Sequence, residues 1–145
     1  MEHAGRLAIV GSGEYMPAMQ EIEAWLLEGR EQRTATDRSG TPRYVQLATA
    51  AAPEGDRVLS RWHDLGAQAA ERLCAQQVIV DVRTRSDADD DAHADAIAGA
   101  SLIYLSGGNP VHLARTLRGT RVWQAIVDEW RAGAALASAE PARAP

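Results

Sequence analysis

The sequence of 145 residues predicts an α/β fold: a three-layer, mostly parallel (flavodoxin-like) sheet of about five strands flanked by helices. Three observations carry this expectation. Short apolar runs alternate with amphipathic helical stripes along the whole chain. The runs are apolar on both faces, as in strands buried between two helix layers. Glycine turns follow the first and fourth runs, at the strand ends where such sheets bind ligands.

Leu7-Ala8-Ile9-Val10 is the first strand, ended by Gly11-Ser12-Gly13. From Pro17 to Gly29, Met19, Ile22, Trp25 and Leu26 fall on one helical face. The polar, aperiodic stretch from Arg30 to Pro42 is a loop. Tyr44 to Ala48 is the second strand, followed by the small-residue run Thr49 to Pro53. Val58, Trp62, Leu65, Ala69 and Leu73 make a long helical stripe. Val78 to Val82 is the third strand. The acidic run Asp87 to Asp91 precedes a shorter helix carrying Ala94, Ile97 and Ala98. Leu102 to Leu105 is the fourth strand. Asn109 can cap the next helix, with Pro110 in its first turn. Thr120 can cap another, with Val122, Ile126, Val127 and Trp130 facing inward. Gly133 suits the residue just past its end. Ala134 to Ala137 is the fifth strand.

A net charge of −5 with no basic cluster argues against nucleic acid or an anionic membrane as partner. The single cysteine, Cys74, cannot form an internal disulfide, which points to a reducing, cytoplasmic setting. The first residues lack the apolar run of a secretory signal, and no run is long enough to span a bilayer. No cofactor or metal is expected. The acidic run with His93 lacks the glycine and glutamate spacing of a calcium loop and reads as a solvated helix start. His63 and His112 read as solvent-exposed helical residues. Gly11-Ser12-Gly13 is not a dinucleotide fingerprint, because Met16 stands where a third glycine belongs.

The Ser106-Gly107-Gly108-Asn109-Pro110 turn is the best candidate site. It places bare backbone N–H groups at the end of a buried strand, where they can hold a developing negative charge. Together with Gly11-Ser12-Gly13-Glu14, Leu47-Ala48-Thr49-Ala50, Leu117-Arg118-Gly119-Thr120 and Gly133 to Ala137, it resembles the cyanophycinase and aspartyl dipeptidase group of Ser-His-Glu peptidases. That group has the class I glutamine-amidotransferase-like fold. The resemblance implies a serine-type peptidase acting on a small peptide. Ser138 would be the nucleophile, with Gly107, Gly108, Asn109 and the Ala139 N–H around the oxyanion, and Gly13 and Glu14 at the site wall. The family's elbow carries a glycine where this chain has Glu140, and its histidine and acid lie further on. The resemblance therefore implies a member cut off at its nucleophile. The domain is expected over residues 1–137, incomplete relative to the family, with 138–145 a disordered tail and little or no activity.

The alternative is a non-catalytic α/β module that binds an anion or a partner chain. An incomplete sheet is expected to leave the last strand as an open edge, which invites pairing and allows a homodimer.

Overall fold

The computed structural model describes residues 3–10, 17–28 and 40–139. Five strands form one sheet: β1 (Leu7–Val10), β2 (Arg43–Leu47), β3 (Gln76–Ile79), β4 (Leu102–Leu105) and β5 (Ala135–Ala139). Their order is β1-β5-β4-β2-β3, and every pairing is parallel. The helices are α1 (Pro17–Glu28), α2 (Asp56–Arg72), α3 (Arg85–Ala88), α4 (Asp91–Ile97), α5 (Pro110–Leu117) and α6 (Arg121–Arg131). A short 3-10 helix runs from Thr49 to Glu54. The three-layer α/β prediction is correct.

Side chains alternate across the sheet with period two, and the alternation sorts the core into two halves. Val45, Leu47, Ile103 and Leu105 face Ile97, Leu117, Val122 and Ile126 of α4, α5 and α6. Tyr44, Leu102, Tyr104 and Ala137 face Met19 and Leu26 of α1 and Ala69 and Ala70 of α2. Each large apolar side chain sealed this way, such as Ile126, stabilises the fold by about 1.5–3 kcal/mol.

The helix starts follow the sequence signals. Asn109 accepts from the N–H groups of Val111 (3.0 Å) and His112 (3.1 Å), and Thr120 accepts from Trp123 (3.3 Å). Gly133 sits at φ +113° after α6, a backbone that side chains rarely adopt.

Several expectations are corrected. β5 is not an edge: it lies between β4 and β1, so the exposed edges of the described sheet are β1 and β3. The small side chains of Ala135 and Ala137 let it slot into the middle while α1 and α2 close over that face. β5 also runs through Ser138 to Ala139, so these two residues belong to the sheet; residues 140–145 lie outside the described set. β3 is shifted to 76–79, because as an edge strand its register ends where Ile79 pairs with Gln46. Val80 and Val82 stay buried beyond it. The run Thr49 to Pro53 is helical, and part of the acidic run forms α3, started by a reciprocal Thr84–Asp87 cap. On α1 the inward face is Met19, Glu23 and Leu26, while Ile22 and Trp25 are exposed. Trp25 instead lies under the Arg6 guanidinium, 4.7 Å from its ring centre.

Candidate active site

Parallel pairing brings the carboxyl ends of all five strands to one rim. β4 leaves the sheet there through Ser106, whose N–H donates to Leu47 O (3.0 Å) and whose hydroxyl accepts from Gln46 Nε2 (3.1 Å). Gln46 Nε2 also donates to Trp62 O (2.8 Å), and Gln77 Nε2 donates to Gln46 Oε1 (2.9 Å) and His63 O (2.9 Å). This buried polar chain ties α2, β3 and β2 to the residue just before the Gly107-Gly108 turn. In a dry interior such a chain is worth keeping only when its members are paired, and it then fixes one arrangement.

Gly108 is held by contact. A Cβ there would lie 2.5 Å from the Ala50 carbonyl carbon and oxygen and 2.7 Å from Ala51 N. Glycine lets the turn lie flat against the 3-10 helix, and Asn109 N–H then donates to Ala50 O at 2.8 Å. The Asn109 side chain occupies the first-turn amides of α5. The Gly108 N–H has no hydrogen-bond partner among the described residues. It stands where the dipole of α5 favours an anion.

Ser138 sits near the end of β5, paired with Leu105 on one side and Ile9 on the other. Its half-buried side chain faces α5 and α6 and lines a mostly apolar cavity of about 340 Å³ with Leu105, Leu113, Leu117 and Trp123. The same ladder engages the Ala139 N–H. Pairing of Leu105 with Ser138, continuing the Ala135 N–H to Ser101 O bond, directs that amide to β4. As placed here, the Ala139 amide is a sheet donor. Gly13 and Glu14 lie outside the described residues.

The imidazoles of His93 and His112 are engaged away from Ser138. His112 is part-buried, its Nε2 3.2 Å from Arg83 O and 3.3 Å from Thr116 Oγ1; His93 Nδ1 lies 2.8 Å from Asp87 O. His63 is part-buried too, and burial pulls its pKa below the usual imidazole value, partly offset by Asp81. Both His63 and His112 thus depart from the exposed positions expected of them, because α2 and α5 each turn that face toward the rim. The acidic residues are absorbed structurally. Asp87 closes the α3 cap, and its carboxyl is held below the ordinary carboxylate range, chiefly by the Arg83 backbone N–H. Asp90 caps α4, and Asp91 pairs with Arg121 at 2.8 Å. Among the described residues no three His, Cys, Asp or Glu side chains gather as a metal site. At the rim after β3, Arg83 is bracketed by Asp81 and Asp56, which hold its guanidinium firmly protonated, Asp81 most strongly.

Sequence reasoning missed Gln46 and Glu23. Gln46 carried a signal, being a polar residue inside the apolar run Tyr44 to Leu47. Glu23 carried one as well, falling between Met19 and Leu26 on the buried face of α1.

The family model described as Peptidase family S51 matches residues 58–139, from α2 through β5. The chain belongs to this family. The matched S51 segment contains the Gly107-Gly108 turn and Ser138. Among solved structures, a peptidase from an acI-B1 Actinobacterium is 38% identical over 95% of this chain, with a TM-score of 0.86. A peptidase E-like protein from Listeria monocytogenes EGD-e shares the fold at 18% identity, over 92% of the chain with a TM-score of 0.60. The chain spans 55% and 57% of those two proteins. No curated protein matches it in sequence. No described helix is long and apolar enough to cross a membrane.

Proposed function

We propose that the rim of this S51 chain is built for serine-type hydrolysis of small peptides, and that residues 1–145 by themselves are catalytically silent. Support for the first part is the Gly107-Gly108 turn, wedged on the 3-10 helix, which leaves the Gly108 N–H without a partner among the described residues at the start of α5. A donor fixed there costs no reorganisation when a carbonyl oxygen gains charge during attack. Ser138, on the neighbouring strand, is the nucleophile candidate. Support for silence is the engagement of His93 and His112 elsewhere: a serine hydroxyl is a weak nucleophile without an oriented imidazole in reach. Neither His93 nor His112 is directed to Ser138.

The alternative, a non-catalytic module that binds an anion or a partner chain, would not pair through β5, which has strands on both sides. Two measurements on the purified chain test the proposal. Short peptides should shift the amide resonances of Gly107, Gly108 and Ser138, and a fluorophosphonate probe should label nothing above background. Peptide-induced shifts confined to other surfaces would remove the substrate reading. Labelling that disappears in Ser138→Ala would overturn the silence.

A further inference from the structure

The cavity beside Ser138 lies between the two ends of the glycine turn. Leu105 closes β4 just before the turn, Pro110 opens α5 just after it, and both line the cavity. Leu113, Leu117 and Trp123 make the rest of its apolar wall. Ser138 forms part of the same wall, so the hollow adjoins both halves of the candidate site. Protein interiors keep few voids larger than a water molecule. A hollow of about 340 Å³ has the size and lining of a ligand site, at the small end of the usual range of about 300–1,000 Å³. It has room for one large side chain with its main-chain atoms, not for a long ligand.

Charge narrows the occupant. Among the described residues lining the cavity only Arg118 is charged, and it is exposed, so it stands at the mouth. Its backbone is fixed: the N–H donates to Ala114 O (3.0 Å) and the carbonyl accepts from Arg85 Nη1 (2.8 Å). Its guanidinium makes no hydrogen bond or ion pair with any described residue. Arg83 and Arg121, by contrast, are taken up by aspartates. A free guanidinium pairs well with a carboxylate. A carboxylate inside the apolar hollow would lose its water without compensation. The fitting ligand therefore carries an apolar group to go in and a carboxylate to stay at the mouth.

We propose that the cavity binds the C-terminal residue of a short peptide, its large apolar side chain among Leu113, Leu117 and Trp123 and its free carboxylate on Arg118. The binding site stands on the cavity and the free cation; it rests on the hydrolytic reading for calling that ligand a substrate. Under that reading the preceding carbonyl faces Gly108 and Ser138, and the substrates are short peptides ending in a residue such as leucine.

The test is titration of the purified chain with glycyl-leucine, followed by the indole resonance of Trp123 and the methyl resonances of Leu113 and Leu117. Saturable shifts are expected at all three. Glycyl-leucine should bind at least about tenfold tighter than glycyl-alanine, since each methylene in an apolar pocket is worth about tenfold or more. It should also bind about tenfold tighter than glycyl-leucinamide, which lacks the charge that Arg118 reads. Arg118→Gln should bring acid and amide to about equal affinity, whereas Arg121→Gln, which removes the same charge from a guanidinium held by Asp91, should leave their difference intact. Ala114→Phe, at an exposed position on the cavity wall, should weaken binding at least about tenfold while keeping the amide spectrum of the folded chain. Equal binding of acid and amide to the unaltered chain, undiminished binding in Ala114→Phe, or no saturable shift at the cavity overturns the proposal. Shifts at Gly107 and Gly108 without any at Trp123 also overturn it and leave the hydrolytic reading in place. Arg118-dependent shifts at Trp123 with Gly107 and Gly108 unmoved uphold the binding site and sink the hydrolytic reading instead.

Discussion

Gly108→Ala tests whether the candidate oxyanion turn is set by contact with the 3-10 helix. The new Cβ would fall 2.5 Å from Ala50 C and O and 2.7 Å from Ala51 N, all backbone atoms with no side-chain freedom to yield. Relief requires the start of α5 to lift away, which loosens the 2.8 Å Asn109 N–H to Ala50 O bond. Overpacking costs about 1–3 kcal/mol. The bond contributes about 0.5–1.5 kcal/mol more. The sum, about 2–4 kcal/mol, corresponds to a fall in Tm of roughly 10 °C for a chain of this size. Gly119→Ala is the control. Its φ is +71° but nothing lies within 4 Å of an added Cβ, so only backbone strain of about 1–2 kcal/mol applies. Thermal and urea unfolding followed by circular dichroism give both numbers. If Gly108→Ala melts no lower than Gly119→Ala, the turn is not pinned by the 3-10 helix and the geometric case for the site collapses.

Glu23 and Gln46 supply two further expectations. Glu23 is fully buried, accepts no hydrogen bond among the described residues and lies 3.7 Å from Arg72. Burial raises its carboxyl above the ordinary 4.5, and Arg72 only partly offsets this. The folded state then holds a proton that the unfolded state has lost, so stability falls as pH rises from 4.5 toward the folded value. Glu23→Gln should flatten that fall in urea midpoints taken from pH 4 to pH 8; a wild type that gains stability relative to the variant across this range would show that Arg72 prevails. Gly66→Ala drives a Cβ to 1.9 Å from Gln46 Oε1 and should cost about 1–3 kcal/mol by overpacking. Combined with Gln46→Ala, the total should fall at least 1 kcal/mol short of the sum, since both substitutions act on one contact; simple additivity in urea unfolding would deny the coupling.

What could be read early and what could not divides along physical lines. Local rules acted through neighbours a few residues apart, so Asn109, Thr120 and Gly133 were assignable as caps and terminator from their own segments. Two-sided apolar runs made a buried parallel sheet the expectation. The site was half legible. A glycine pair after a strand announces a tight turn, but not that Ala50 is the atom group against which Gly108 must fit. Ser138 reads as the start of a tail because Glu140 breaks the motif after it, whereas its ladder partners Leu105 and Ile9, distant in sequence, hold it in the sheet.

The amino-acid order alone fixed the class of fold, the caps and the family, since each is written in nearest-neighbour chemistry and spacing. Tertiary structure alone decided the strand order: β5 entered between β1 and β4 and left β1 outermost. Strand neighbours are chosen by packing between segments more than a hundred residues apart, as when Leu7 meets Leu136, and no local pattern encodes that choice. The same long-range packing turned Glu23 inward, Ile9 outward and the imidazole of His112 toward Arg83.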